Sequence, residues 1–184
     1  MSPPQLDDPA PNPALIGLDG KPLSLADIWA TQPTVVSFLR YFGCPFCQAW
    51  VSRLVRHASD FDDLGVRVVL VGQESVGHAM GFTGPRRIPF TIAIDLDRSA
   101  YQAFGLVDGE ATELLRPRIA AAWVGVHLRG EGRQGGLQGG NLAQLPGTFL
   151  VDTGGVLRFV YRNRHQADDP DVQHLLDACR AIAA

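Results

Sequence analysis

The segment Thr34-Val35-Val36-Ser37-Phe38-Leu39-Arg40 constrains this chain most, because it runs directly into Gly43-Cys44-Pro45-Phe46-Cys47. It is β-branched and nearly continuously apolar, the pattern of a central strand covered on both faces. Helical spacing then begins, with Cys47, Trp50, Val51, Leu54 and Val55 on one face. A C-x-x-C pair is thereby placed at a strand end, opening a helix. There the amides of the first turn are unpaired and the helix dipole adds positive charge. Both favour a thiolate and lower its pKa from about 8.5 toward neutrality. The two-residue spacer lets the second sulfur turn back on the first. Pro45 sits where its missing N–H costs little and its fixed φ suits the helix.

The remaining signals bound the class. The 184 residues suit one domain, long enough to bury a core without disulfide staples. A net charge of −3 excludes the basic footprint of a nucleic-acid or anionic-membrane binder. Arginine is frequent and Lys21 is the single lysine, a compositional bias. Three cysteines with one tight pair do not read as a secreted disulfide scaffold. The N-terminus, Met-Ser-Pro-Pro-Gln-Leu-Asp-Asp-Pro, has no basic region followed by an apolar core. No apolar run approaches the ~20 residues of a membrane-spanning helix. The expectation is a reducing, cytoplasmic setting with no nucleic-acid or membrane partner.

Along the chain, residues 1–13 carry five prolines and read as a flexible leader, followed by a single domain over 14–184. Leu15–Leu23 reads as a hairpin turning at Asp19-Gly20, then a short helix capped by Ser24. Gly65 ends the helical region after the cysteines, and Val66–Val71 is a second buried strand. A helix over Val76–Phe82, a strand over Phe90–Ile94 and a helix over Ser99–Phe104 follow. Residues 112–128 read as helical from about Pro117, with Leu114, Leu115, Ile119, Trp123 and Val126 apolar. Residues 129–141 are a glycine-rich loop. Thr148–Tyr161 is a hairpin turning at Asp152-Thr153-Gly154-Gly155. A last helix over 170–183 carries the stripe Val172, Leu175, Leu176, Cys179 and Ile182. Early βαβ units and a late hairpin imply a mixed α/β sheet with helices on both faces.

A C-x-x-C beside a βαβ pattern reads as a thioredoxin-like redox motif. Two competing readings are half of a zinc site and a pair of inert core thiols. Structural zinc wants four ligands, and no second cysteine pair or spaced histidine pair is present. The strand-to-helix placement and Pro45 argue against inert thiols. Cys179 reads as a small buried hydrophobe, with a second resolving thiol as the alternative. Gly130–Gly135 spells G-x-G-x-x-G but follows a helical segment and does not open a helix, so it is no dinucleotide site. Arg133 or Gln138 of that loop could reach the thiol pocket, though a plain surface loop is the simpler reading. Arg162, Arg164 and His165 form either a reductant-docking patch or a solvated face. Tyr41 and Trp50 read as packing residues. His57, His78, His127 and His174 have no triad or metal spacing. No metal, flavin or nicotinamide cofactor site is visible.

The stretch Ser37–Cys47, together with Leu145-Pro146-Gly147-Thr148-Phe149-Leu150-Val151-Asp152 and Tyr161-Arg162-Asn163-Arg164-His165, resembles the peroxiredoxin-like branch of the alkyl hydroperoxide reductase/thiol-specific antioxidant family. Leu15–Ile28 adds to the likeness, which covers about residues 14–183. It implies a thioredoxin-like fold with peroxiredoxin-type insertions. It also implies a thiol-dependent antioxidant activity and, weakly, a homodimer. In that alignment Cys47 takes the peroxidatic place and Cys44 the place of the family's threonine. Thioredoxins instead attack with the first cysteine, here Cys44. The family's proline before the motif falls at Arg40, and its later arginine falls near Pro146. Both are absent. Pro146 resembles the proline that is cis and faces the C-x-x-C in thioredoxin-like proteins, just ahead of Thr148. Arg40, Pro146 and Thr148 are thus candidates to stabilise the thiolate or substrate beside the catalytic Cys44 and Cys47.

The function expected is reduction of a peroxide or protein disulfide through a Cys44/Cys47 dithiol–disulfide cycle, restored by an external thiol. The alternatives are a redox sensor or binding module without turnover, and a purely structural pair.

Overall fold

The computed structural model describes residues 2–110, 117–130 and 141–183. Seven strands form one sheet in the order β2-β1-β5-β4-β3-β6-β7. They are β1 (Leu15–Gly17), β2 (Pro22–Leu23), β3 (Thr34–Phe38), β4 (Arg67–Gly72), β5 (Thr91–Ile94), β6 (Gly147–Val151) and β7 (Leu157–Arg162). The helices are α1 (Leu25–Trp29), α2 (Pro45–Arg56), α3 (Ala58–Asp63), α4 (Val76–Thr83), α5 (Ser99–Ala103), α6 (Pro117–Leu128) and α7 (Val172–Ala183). No described helix is long and apolar enough to cross a membrane.

The central three strands, β5, β4 and β3, are parallel, and β1, β6 and β7 join antiparallel. Alternation along the strands builds two cores. Val35, Val68, Leu70 and Leu150 face one side, against Trp50 and Leu54 of α2, Phe61 of α3, Ile119 and Val126 of α6, and Leu175 of α7. Val36, Phe38, Val69, Val71 and Phe149 face the other, against Leu25 and Trp29 of α1 and Tyr101 of α5. That two-sided burial is why β3 and β4 read as unbroken apolar runs. The mixed sheet expected from the pattern is the one observed. Ser24 caps α1 by accepting from the Asp27 amide at 3.2 Å. Gly65, at φ +64°, occupies the left-handed turn between α3 and β4.

Three expectations are corrected. The leader is held in place: Asp7 N donates to Leu157 O at 2.8 Å, Leu157 N to Asp8 O at 3.0 Å and Ala10 N to Gly155 O at 2.8 Å. The leader turns at Gln5–Asp8, with Asp7 at φ +68°, and then runs past the start of β7, where Pro9 bridges Val156. Trp123 is 45% exposed and lies against His127, the rings tilted by 33° with centroids 3.8 Å apart. Helix α6 turns Ile119, Ala122 and Val126 toward the core, and Trp123 falls outside that arc. Pro146 follows a trans peptide, since none of the described bonds is cis. The Leu145 amide is held by Val107 O and the Pro146 carbonyl by Asn163 N, which carries the chain straight into β6. Leu114, Leu115 and most of the glycine-rich loop, with Arg133 and Gln138, lie outside the described residues.

Candidate active site

The chain leaves β3 at Phe38, and the Leu39 amide extends the pairing by donating to Val71 O at 2.8 Å. It then folds over residues 40–43 into α2, whose N-cap is Cys44 and whose first helical residue is Pro45. Cys44 has extended dihedrals and no side-chain cap bond, so its sulfur stays available to the helix amides. Cys44 and Cys47 are free thiols, 1% and 4% exposed.

Their environments differ. The Cys47 S–H, donated to the Cys44 sulfur, brings the Cys44 thiol down to about 7. Burial opposes this, while the amides of Cys47 and Phe46 and the Arg40 charge assist. Cys47 is pushed well up, because it gives its proton to that bond and is itself buried. One thiol is thus disposed to ionise and its neighbour to hold a proton. The Cys47 sulfur also accepts from the Arg40 amide at 3.2 Å.

Arg40 is buried, and its guanidinium acts from a fixed position. Its Nε donates to Leu142 O at 2.5 Å and its carbon lies 5.3 Å from the centre of the Tyr41 ring. The Arg40 carbonyl accepts from Gln73, which follows β4. Gln73 also grips residue 141, accepting from Asn141 N at 2.9 Å and donating to Asn141 O at 3.1 Å. One buried amide side chain thus ties the strand end to the segment that anchors Arg40.

Glu74, next along, accepts from the Phe42 amide at 2.8 Å. It is 4% exposed, and burial raises its carboxyl to about 7, with the Cys44 charge adding in the same direction. The Phe42 carbonyl accepts from Gln48 of α2 at 3.2 Å. Asp169, ahead of α7, is held by Arg53 at 2.5 Å and Asn163 at 3.1 Å. Burial raises Asp169 to about 6, and its charge opposes ionisation of Cys47.

Thr148 lies opposite Ser37 in the β3–β6 register, with the hydroxyls 3.3 Å apart. Ser37 accepts from the Trp50 indole at 2.9 Å. Thr148 therefore belongs to a buried polar tie beneath α2. Arg162 donates to Phe104 O at 2.8 Å and to the Pro4 carbonyl, and Arg164 holds Asp168 through two bonds of 2.9 and 3.0 Å. Of the suggested docking patch, Arg162 is therefore committed to internal contacts, while the Arg164 side chain stays 81% exposed beside its Asp168 partner. Cys179 is fully buried, and desolvation raises its thiol to about 12. Gln73, Glu74 and Asp169 were not singled out in the sequence. Only an acidic or amide residue directly after a buried strand hinted at the first two.

Residues 53–165 match the model of the family described as AhpC/TSA antioxidant enzyme. The chain belongs to this family. The match begins beyond Cys47, so the assignment rests on the body of the domain and is independent of the cysteine pair. The chain is 26% identical over 180 residues to "Thioredoxin-like protein AAED1, chloroplastic" of Arabidopsis thaliana, covering 91% of this chain and 70% of the relative. It is 22% identical over 176 residues to "Peroxiredoxin-like 2C" of Bos taurus, covering 88% and 74%. Among solved structures it superposes on Peroxidoxin BcpB from Mycobacterium tuberculosis with a TM-score of 0.71 at 18% identity, covering 96% and 97%. The fold is that of the thioredoxin-like peroxiredoxins, and the family points to redox function.

Proposed function

We propose that this protein reduces hydroperoxides with Cys44 as the attacking thiolate and Cys47 as the resolving thiol. The observation that carries the reading is the asymmetry of the pair: Cys44 is the N-cap of α2, at the start of the helix, while the Cys47 sulfur, one turn in, is held by the Arg40 amide at 3.2 Å, and the thiols shift in opposite directions, Cys44 down and Cys47 up. The Cys44 thiolate attacks one peroxide oxygen and the O–O bond breaks, giving a Cys44 sulfenic acid and an alkoxide or hydroxide that takes up a proton and leaves as alcohol or water. The Cys47 thiolate then attacks the Cys44 sulfur. Hydroxide leaves and takes up a proton as water, and the Cys44–Cys47 disulfide remains. Two equivalents of an external thiol restore both cysteines and end as a disulfide. Thiols 1% and 4% exposed favour a small oxidant over the disulfide of a bulky protein, which needs an in-line approach. The reading assigns the protein to a reducing, cytoplasmic compartment that supplies the thiol.

The test is stopped-flow titration of the reduced protein with hydrogen peroxide, followed by mass mapping. Stoichiometric consumption with a Cys44–Cys47 disulfide is the expected result. Oxidation by a low-molecular-weight disulfide but not by peroxide would move the activity to thiol–disulfide exchange. No reaction with either would leave a sensor or structural pair.

A further inference from the structure

Tyr101 approaches the site from the opposite core. It lies on α5, is fully buried and packs edge-on to Phe38 with ring centroids 5.0 Å apart. Its hydroxyl donates to Leu39 O at 2.6 Å and also lies 3.1 Å from Val71 O. Val71 O already accepts from the Leu39 amide at 2.8 Å. Leu39 O and the Arg40 N–H belong to one peptide group, and that N–H is the one directed at the Cys47 sulfur, 3.2 Å away. A single rigid amide plane therefore carries a hydroxyl donor on its oxygen and a thiol acceptor on its hydrogen.

A donor on an amide oxygen withdraws charge from the nitrogen and strengthens its N–H as a donor, so bonds in such a chain reinforce one another. The peptide plane is stiff, so fixing the oxygen also fixes the direction of the N–H. We infer that Tyr101 is a positioning residue for Cys47: through the Leu39–Arg40 peptide it aims and polarises the amide that holds the Cys47 sulfur. The inference rests on the proposed resolving role of Cys47 for its functional meaning. The physical effect, a stabilised Cys47 thiolate, does not depend on it. Around Cys47 the titratable groups are Cys44 at the N-cap of its helix, Tyr41 in the loop before it, Asp169 ahead of α7 and Tyr101 on α5, while Arg40 contributes the amide itself. Cys44 and Asp169 oppose ionisation of Cys47, so the peptide N–H is the contact that favours it.

The test is a thiolate absorbance titration of the reduced protein carrying Cys44→Ser, with and without Tyr101→Phe. The matching Cys47→Ser protein is subtracted in each background, which removes the tyrosine and Cys179 contributions. This readout needs no oxidant. Tyr101→Phe is expected to raise the Cys47 midpoint by about half a unit or more. Phe104→Leu, a core change near the same aromatic cluster, controls for general loosening and is expected to leave the midpoint in place. An unchanged midpoint in Tyr101→Phe overturns the inference, as does an equal shift in Phe104→Leu. With Cys44 restored and peroxide added, Tyr101→Phe is expected to accumulate more dimedone-trapped Cys44 sulfenic acid at an unchanged rate of first oxidation. If peroxide oxidises neither form, the catalytic reading fails while the titration still decides the role of Tyr101.

Discussion

The Phe42 ring lies directly on Gly72: a Cβ at Gly72 would come within 2.3 Å of Phe42 Cζ. The last residue of β4 is thus bare so that the loop carrying the cysteines can close over it. Gly72→Ala is expected to destabilise the fold by about 1–3 kcal/mol through overpacking. It also lifts Phe42 from the Glu74 carboxylate and from Phe82, whose ring is 5.0 Å away. Denaturant unfolding measures the first effect. Slower peroxide oxidation of Cys44 in the still-folded fraction measures the second.

The two cysteine substitutions should separate the steps. Cys44→Ser is expected to abolish peroxide consumption. Cys47→Ser is expected to consume one equivalent and stop at a Cys44 sulfenic acid, seen as a dimedone adduct by mass. The reverse pattern would place the attack at Cys47.

Rate should follow thiolate fraction. Oxidation of the reduced protein is expected to accelerate as pH rises through about 7 and level off above it. Cys47→Ala removes the S–H donor and should move that midpoint upward, toward the ordinary cysteine value. Initial rates across a pH series check both.

Glu74 makes stability fall as pH rises. Its carboxyl is held at about 7 in the fold against an ordinary value of 4.5, so the folded state binds the proton more tightly. That contribution is fully present below 4.5 and is lost as pH climbs toward 7. Glu74→Gln keeps an oxygen for the Phe42 amide and carries no charge. It is expected to match the parent below pH 4.5 and to exceed it above pH 7 by up to roughly 3 kcal/mol. Denaturant midpoints at the two extremes provide the measurement.

Cys179 should be chemically silent. Fully buried and raised to about 12, it is expected to resist alkylation until the protein unfolds. Cys179→Ala is expected to cost about 1 kcal/mol and to leave the peroxide stoichiometry unchanged. Peptide mapping after alkylation of native and unfolded protein decides it.

The sequence showed what depends on neighbours in the chain. Cys44 at the start of α2, the Ser24 cap and the Gly20 turn are local, and each appears where the residues place it. The second half of the site is not local. Glu74 meets Phe42 across 32 residues only because Phe38 pairs with Val71 in the parallel register of β3 and β4. Gln73 reaches Asn141 across 68 residues because the chain after Asn141 enters β6, which pairs antiparallel with β3, Gly147 opposite Phe38. A pattern of apolar residues announces two strands without saying that their ends converge. Trp123 shows the opposite limit, since a helix phase read one position off turns a core residue into a surface one. The leader reads as free because its partner, the start of β7, lies far along the chain.

That leader has a consequence for assembly. Asp7–Ala10 occupies the outer hydrogen-bonding groups at the beginning of β7, and Arg158 beside it is bound to both Asp7 and Asp152. The opposite edge of the sheet is β2, two residues long. Where the leader lies, at Leu157, a strand of another copy cannot pair with β7, and blocking an edge in this way guards against stray pairing at that point.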